Sequence, residues 1–274
     1  RIRAILLGAA AAASIGAGLP ASAAAQQPST GNGAEFRWSG TIANGQLVRV
    51  ANVTGDVVVI GADVEQVEVV GRRRGASSDT EARVEVKAHA DGITVCALRS
   101  EDSYCDERGM HEDGGNRWGR DRERAHYDLE VRVPRRMQVS ASTVSGDVRV
   151  SGTTLEVRAT TVSGDARVED VRAQDRVRVT SVSGDVTARL ATLAQGTDLE
   201  LKSVSGDVEL SLPQSAGFTL NMSTVSGDLT SDFPLQMRGR FNRRSINATV
   251  NNGGSDLQVS TVSGDVRIAH NRQD

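Results

Sequence analysis

The sequence Thr143-Val144-Ser145-Gly146-Asp147-Val148-Arg149-Val150 returns in near copies along the second half of the chain. The copies occupy residues 161–168, 181–188, 203–210, 224–231 and 261–268, and a more distant relative occupies residues 52–59. Their glycines recur about every twenty residues up to Gly227, and a longer gap precedes Gly264. A fixed period of this size is typical of solenoids, propellers and other repeat arrays. The repeat therefore restricts the fold far more than it restricts the function.

The spacing of apolar residues around the repeated turn distinguishes two β architectures. Leu199 and Leu201 precede one turn at alternate positions, and Val208 and Leu210 follow it. If the turn were a three-residue hairpin loop, Lys202 would lie opposite Leu210, and the two strands would present their apolar residues to opposite faces. A bend that does not pair the two strands avoids this conflict. We therefore predict an all-β fold, a parallel β-solenoid in which each strand pairs with its counterpart one coil away. An antiparallel β meander or sandwich is the alternative, and it requires a β-bulge that resets the alternation.

Residues 1–25 have the pattern of a secretory signal peptide. Arg1 and Arg3 precede an apolar run from Ala4 to about Leu19, and Pro20 and a stretch of small residues follow. The run is short and poor in large side chains for a transmembrane helix. We expect an exported protein, periplasmic or extracellular in a bacterium, without an integral membrane segment in the mature chain.

The remaining sequence is expected to form one domain. Residues 26–34 are a polar linker, and residues 35–270 form a single β-solenoid. Within it, residues 35–136 form an irregular N-terminal cap and early coils, because the ends of a solenoid must differ from its middle to cover the core. Residues 137–270 form the regular coils. The last copy of the repeat is expected to end the stack, with Arg272, Gln273 and Asp274 as its polar cover.

The least repeat-like segment, residues 101–124, is a charged surface insertion. Cys96 and Cys105 are the two cysteines of the chain, and in an exported protein they are expected to form a disulfide across the base of this insertion. For the charged residues of the insertion, a metal site is less favoured than a solvated charged loop, because zinc-type spacing is absent and arginines are mixed among the acids. Its candidate ligands are Asp106, Glu107, His111, Glu112 and Asp113.

The repeated Gly and Asp residues are expected to build the turns. Glycine supplies a positive φ or a close approach, and each aspartate accepts backbone N–H groups in its own turn. A row of bound cations is the alternative for stacked aspartates, but the turns offer no second carboxylate. We expect no catalytic residue, no cofactor and no metal. The turn residues are Gly55, Asp56, Gly146, Asp147, Gly164, Asp165, Gly184, Asp185, Gly206, Asp207, Gly227, Asp228, Gly264 and Asp265.

Charge and motif content exclude several functions. The formal net charge is −3, and the arginines alternate with apolar residues as on a solvated strand face, so nucleic-acid binding is not expected. The sequence contains no Gly-x-Ser-x-Gly elbow, Walker loop or dinucleotide fingerprint. The four histidines, at 89, 111, 126 and 270, are scattered and are expected to be surface or strand residues.

Several sequence features together resemble the putative-adhesin family of β-strand-repeat domains. They are the segment Trp38-Ser39-Gly40, the strand Val131-Arg132-Val133-Pro134, the repeated Val-Ser-Gly-Asp and the Asn-Gly-Gly turn at 252–254. The likeness extends over about residues 35–270. It implies an extracytoplasmic β-solenoid associated with adhesion and the cell envelope, and it assigns no catalytic residue.

Three classes of function follow from these observations. The favoured one is a non-enzymatic envelope protein, either a structural, adhesion-like or ligand-binding scaffold, because every recurring residue has a role in folding. Its partner would be an envelope component, either a glycan or a protein, and the sequence leaves the oligomeric state open. The alternative is a polysaccharide lyase or hydrolase on a β-helix, whose charged groups would depart from the repeat. A calcium-stabilised repeat is the third class, but Gly253-Gly254-Ser255-Asp256 matches only part of one calcium-binding unit.

Overall fold

The computed structural model describes residues 29–75, 81–112, 125–237 and 244–271, and within these ranges the regular structure is entirely β. The strands are β1 (Ser29–Gly31), β2 (Glu35–Gly40), β3 (Leu47–Ala51), β4 (Val57–Ala62), β5 (Val67–Arg74), β6 (Arg83–His89), β7 (Gly92–Leu98), β8 (Ser103–Asp106), β9 (Gly109–Glu112), β10 (His126–Pro134), β11 (Gln138–Ser142), β12 (Val148–Ser151), β13 (Val157–Thr160), β14 (Ala166–Ala173), β15 (Arg176–Thr180), β16 (Val186–Leu193), β17 (Asp198–Lys202), β18 (Val208–Leu212), β19 (Phe218–Ser226), β20 (Leu229–Ser231), β21 (Gln236–Met237), β22 (Ser245–Val250), β23 (Ser255–Ser263) and β24 (Val266–His270). In this part of the chain no helix is long and apolar enough to cross a bilayer.

Two large sheets form the body of the protein. One has 12 strands and the other has 10, and each regular coil contributes one strand to each sheet across the Ser-Gly-Asp corner. Counterpart strands pair in parallel and in register, so that Val139 lies beside Val157 and Val157 beside Val177. The predicted parallel β-solenoid is confirmed, and the antiparallel alternative does not describe the regular coils.

The side chains that point into the core are those predicted from the alternation of apolar residues in the sequence. Val157, Ala159 and Thr161 are buried before one corner, and Ala166 and Val168 are buried after it. The intervening residues face away from the core, as alternation in a strand requires. Small and branched side chains from the two sheets therefore meet in one continuous apolar core.

The N-terminal half closes that end of the stack with antiparallel strands. β5 pairs antiparallel with both β2 and β10, while β6 pairs antiparallel with β7 and with β1. Residues 29–31, which the sequence places in the linker, form β1 and pair with β6. The first coil is made by β3 and β4, which pair in parallel with β11 and β12.

The position of the last copy of the repeat differs from the expectation. β23 lies between β17 and β19, and β24 lies between β18 and β20, so the final coil is inside the stack rather than at its end. The end is instead covered by β19 and β20, with β22 antiparallel to β19. All copies carry equivalent pairing edges, and the sequence therefore shows which residues form a coil but not which coils become neighbours. The predicted signal peptide, residues 272–274 and residues 113–124 of the insertion lie outside the described residues.

Candidate functional site

The repeated aspartates are joined by hydrogen bonds between coils. The backbone N–H of each aspartate donates to Oδ1 of the aspartate in the neighbouring coil, at 2.8 to 3.1 Å. Each carboxylate therefore accepts a bond from the neighbouring turn, and the expectation that it accepts backbone N–H groups of its own turn is wrong for this ladder. The spatial order of this ladder is Asp128, Asp56, Asp147, Asp165, Asp185, Asp207, Asp265 and Asp228.

In five of the six copies, all except the one that begins at Thr224, the hydroxyl of the residue before Val-Ser-Gly-Asp donates to a glycine carbonyl oxygen of the neighbouring coil. Thr161 Oγ1 donates to the carbonyl oxygen of Gly146 in the neighbouring coil at 2.9 Å, and Ser181 Oγ does the same to Gly164. Glycine is required here, because Gly164 has a φ of 140° and a Cβ would lie 2.1 Å from the Gly146 oxygen. The repeated Val-Ser-Gly-Asp motif thus allows identical corners of neighbouring coils to stack closely.

Arg74 closes the N-terminal end of the ladder. Its Nε donates to Oδ2 of Asp128 at 2.8 Å, while Oδ1 of Asp128 accepts the N–H of Asp56. The hydrogen bond and the charge of Asp128 raise the pKa of Arg74. Asp128 does not belong to a copy of the motif, so the sequence repeat did not identify it as a member of the ladder.

The same corner exposes a column of valines. The first residue of each Val-Ser-Gly-Asp is 40–60% exposed, although most valines of the described chain are buried. The pattern of apolar residues did not predict this outward column. Its members are Val144, Val162, Val182, Val204, Val225 and Val262.

The charged insertion begins as a small disulfide-linked hairpin. β8 and β9 pair antiparallel, and a Cys96–Cys105 disulfide joins β8 to β7, with the two Cα atoms 5.9 Å apart. Nε2 of His111 lies 2.9 Å from Oδ1 of Asp106. Burial alone would raise the pKa of Asp106, but the N–H of Arg108, the His111 ring and the N–H of Gly109 together hold it below its ordinary value.

The candidate metal set of the insertion is not assembled in the described residues. His111 and Asp106 approach one another, but in the part of the chain that the structure describes no three His, Cys, Asp or Glu side chains converge as metal ligands. Asp113 lies outside that part. The ring of His111 stacks on Tyr104 instead, with centroids 4.9 Å apart.

A polar groove on the outer face of the ten-stranded sheet is the second feature of interest. It has a volume of about 570 Å³, and its floor contains Ser211 and Ala269, which are neighbours on β18 and β24. Both face outward yet are only 7% exposed. Arg189, Glu209 and Arg267 form its rim together with Asp232. Small floor residues and long rim residues thus make a concave surface on a sheet that is otherwise a regular solvated face.

One side of the groove carries buried polar atoms without partners. Nδ1 of His270 and Oδ1 of Asn271 are buried, and neither accepts nor donates a hydrogen bond among the described residues. The His270 ring packs on Phe233 with centroids 4.1 Å apart, and Asn271 Nδ2 donates to the oxygen of Leu190 at 2.7 Å. Both side chains are therefore held in place while one polar atom of each remains unused.

The rim combines both signs of charge. Nη2 of Arg267 lies 4.0 Å from Oδ1 of Asp232, whose Oδ2 accepts the backbone N–H of His270 at 3.3 Å. Such a set can donate to and accept from a ligand with many hydroxyl groups. The sequence does not predict this groove, because Ser211 and Ala269 are ordinary small residues and the groove arises from coils that are distant in sequence.

The two-sheet architecture and the stacked Ser-Gly-Asp corners define a parallel β-strand-repeat protein. Residues 135–269 match the family model described as Toastrack DUF4097. This part of the chain belongs to the Toastrack DUF4097 family, and the resemblance to the putative-adhesin family of β-repeat domains is confirmed. No curated protein sequence matches the chain.

Several solved structures are similar in fold. A putative cell adhesion protein from Clostridium sporogenes is 8% identical, with 86% of this chain and 100% of that chain covered and a TM-score of 0.46. A putative adhesin from Bacteroides fragilis is 10% identical, with 85% and 96% covered and a TM-score of 0.41. A putative lipid binding protein from Parabacteroides distasonis is 8% identical, with 87% and 98% covered and a TM-score of 0.29. At TM-scores below 0.5 these likenesses carry no inference about function.

Proposed function

We propose that the protein is an exported, non-enzymatic scaffold of the bacterial cell envelope, and that it holds a glycan in the polar groove. The signal-like sequence of residues 1–25 and the Cys96–Cys105 disulfide support export, because disulfides persist in oxidising compartments. Most of the recurring Gly, Asp and Thr or Ser residues of the corners are engaged in stacking the coils, as at Thr161, Ser181 and Asp185. A binding surface is therefore expected where the outer face departs from the repeat.

The observation that carries the proposal is the groove over Ser211 and Ala269. Ligand sites are concave, and a few placed polar groups determine what they bind. Here the polar groups are the charged rim and the side chains of Ser211, His270 and Asn271, which line the groove. A polyhydroxylated chain such as an envelope glycan matches this set of donors and acceptors.

Glycan-array binding of the full chain tests the proposal. Arg267→Ala removes a rim donor and is expected to weaken binding of the selected glycan at least about tenfold, since hydrogen bonds to a charged group contribute about 1.5–3 kcal/mol. Arg149→Ala is the matched control, because Arg149 occupies the same outward row of the sheet four coils away in the stack. The control variant should bind as the unmodified chain does.

Three results would contradict the proposal. Equal binding by the Arg267→Ala variant and the unmodified chain would exclude the groove as the site. Loss of binding on removal of residues 101–124 alone would place the site in the insertion. Cleavage of the bound glycan, detected as new reducing or unsaturated ends, would favour a lyase or hydrolase instead of a scaffold.

A further inference from the structure

The last coil, residues 255–271, occupies a slot between two coils that precede it in the sequence. β23 pairs in parallel with β17 on one side and with β19 on the other, and β24 pairs in the same way with β18 and β20. The coils on either side of the slot must therefore be separated until this segment enters. This segment pairs with a strand on each side, and its backbone hydrogen bonds and the alternation of its side chains define its register. These features alone are sufficient to place it correctly in the slot.

The corner of the last coil also fits the slot from both directions. The N–H of Asp265 donates to Oδ1 of Asp207 at 2.8 Å, and the N–H of Asp228 donates to Oδ1 of Asp265 at 2.9 Å. Leu257, Val259 and Ile268 are buried in the common core. None of these contacts depends on the covalent link between β22 and β23.

That link, residues 251–254, is short and conformationally strained. Val250 and Ser255 both lie beside Phe218 but on opposite sides of β19, so four residues carry the chain across the end of that strand. All four have a positive φ, including Asn251 at 44° and Asn252 at 67°. Glycine adopts a positive φ freely and asparagine tolerates it better than most residues, so the strain in this link is modest and resides in Asn251 and Asn252.

The crossing is also tight at one point. A Cβ on Gly217 would lie 2.3 Å from the oxygen of Gly253 and 2.8 Å from the oxygen of Asn251. Beside this contact lies a cavity of about 310 Å³, lined by residues that include Leu193, Gly217 and Ser255. The link is therefore short and closely packed at Gly217, and short hinges under strain favour exchange of an element between copies of a chain.

We propose that residues 255–271 are an exchangeable coil, and that two copies of this chain can each insert this coil into the slot of the other. Every contact within the slot is retained in such a dimer, while residues 251–254 can leave the left-handed conformation. Association opposes exchange through lost translational and rotational entropy. The closed monomer therefore dominates in dilute solution, and the dimer increases with chain concentration during folding.

Cross-linking between two full-length variants tests the proposal. One chain carries Asn221→Cys on β19 and the other carries Gln258→Cys on β23, because these exposed residues are register partners. The mixed chains are unfolded in denaturant without reductant, so that the native disulfide is kept, and are refolded at increasing concentration. A disulfide-linked heterodimer is expected to increase with concentration. The control mixture replaces the second variant with Arg149→Cys, which lies on the other sheet and should form few cross-links.

Two further substitutions change the hinge without altering the slot. Gly217→Ala should raise the cross-linked fraction about tenfold at a fixed concentration, which corresponds to about 1.4 kcal/mol against the closed form. Ser215→Ala is its control, because Ser215 is exposed and precedes the crossing. Asn252→Gly relieves a positive φ and should lower the cross-linked fraction. Cross-linking no greater than in the Arg149→Cys control at every concentration, or a fraction that does not respond to either hinge variant, would overturn the proposal.

Discussion

The backbone N–H of Asp185 donates a 2.8 Å hydrogen bond to Oδ1 of Asp165, its counterpart in the neighbouring coil. Two carboxylates at a coil spacing of about 4.8 Å repel one another by roughly 0.9 kcal/mol in water, before screening by salt. Each carboxylate in the column, except that of the terminal Asp228, receives a backbone N–H donor in return. The repeated aspartates therefore connect the coils without requiring a cation between them.

Replacement of Asp185 by alanine should lower the free energy of unfolding by about 1 kcal/mol, the usual contribution of one hydrogen bond. The change removes the acceptor of the Asp207 N–H, which is 2.9 Å from Asp185 Oδ1. Asp185→Asn is the matched control, since its side-chain oxygen can still accept that bond. Urea denaturation of both variants measures the difference, and equal losses would show that charge rather than the acceptor is responsible.

A chelator should leave the melting temperature of the purified protein unchanged. The ladder donors are backbone N–H groups at 2.8 to 3.1 Å, which leaves the turns without the set of oxygen ligands that calcium prefers. Thermal melts with and without chelator measure the effect, with added calcium as the reverse control. A fall of many degrees on chelation would make the aspartate column a metal site.

The alternation of apolar residues along each strand and the period of the repeated motif were sufficient to predict the coil and its inward face. Val157 and Ala159 point into the core because residues of one strand alternate between faces, and this requires no knowledge of distant contacts. The insertion of residues 255–271 between earlier coils could not be predicted in the same way, because each copy offers the same edges to any other copy. The groove depends on that order, since Ser211 becomes the neighbour of Ala269 only through it.

Leu201→Asp should unfold or aggregate the domain, because Leu201 is 0% exposed and a buried unpaired carboxylate is very costly. The apolar pattern alone predicts that Lys202→Asp is tolerated. The structure adds a contact between Lys202 Nζ and Glu200, so this variant brings two carboxylates together and should lower the free energy of unfolding by about 1 kcal/mol. Lys202→Ser is the milder comparison. Equal melting temperatures for the Leu201 and Lys202 variants would show that the inward face is wrongly assigned.

Removal of the disulfide by Cys96→Ala with Cys105→Ala should lower the free energy of unfolding by about 2–3 kcal/mol, because the closed loop is short and limits the unfolded chain only modestly. The two sulfur atoms are bonded in the structure, and the described chain has no free cysteine. Thiol labelling of the unfolded, unreduced protein should therefore detect no reactive cysteine. Two readily labelled thiols would contradict this expectation.

The ion cluster around Glu200 should make stability depend on pH in the acid range. Burial alone would raise the pKa of Glu200, but hydrogen bonds from Lys202 and Arg178 and their charges hold it below its ordinary value of 4.5. Folding therefore favours the ionised carboxylate. Its contribution is fully present well above pH 4.5 and is lost as the pH falls through the lower pKa of the folded state.

Glu200→Gln should accordingly be less stable than the unmodified chain at pH 7, by about 1–3 kcal/mol if the charge-assisted bonds have their usual strength. The difference between the two proteins should shrink as the pH is lowered below 4.5, because protonation removes the same charge from Glu200. Urea denaturation at several pH values measures this difference. Glu68→Gln, at an exposed position on β5, should change stability little at any pH. A difference between Glu200→Gln and the unmodified chain that stays constant down to pH 2 would show that the carboxylate does not act through its ionised form.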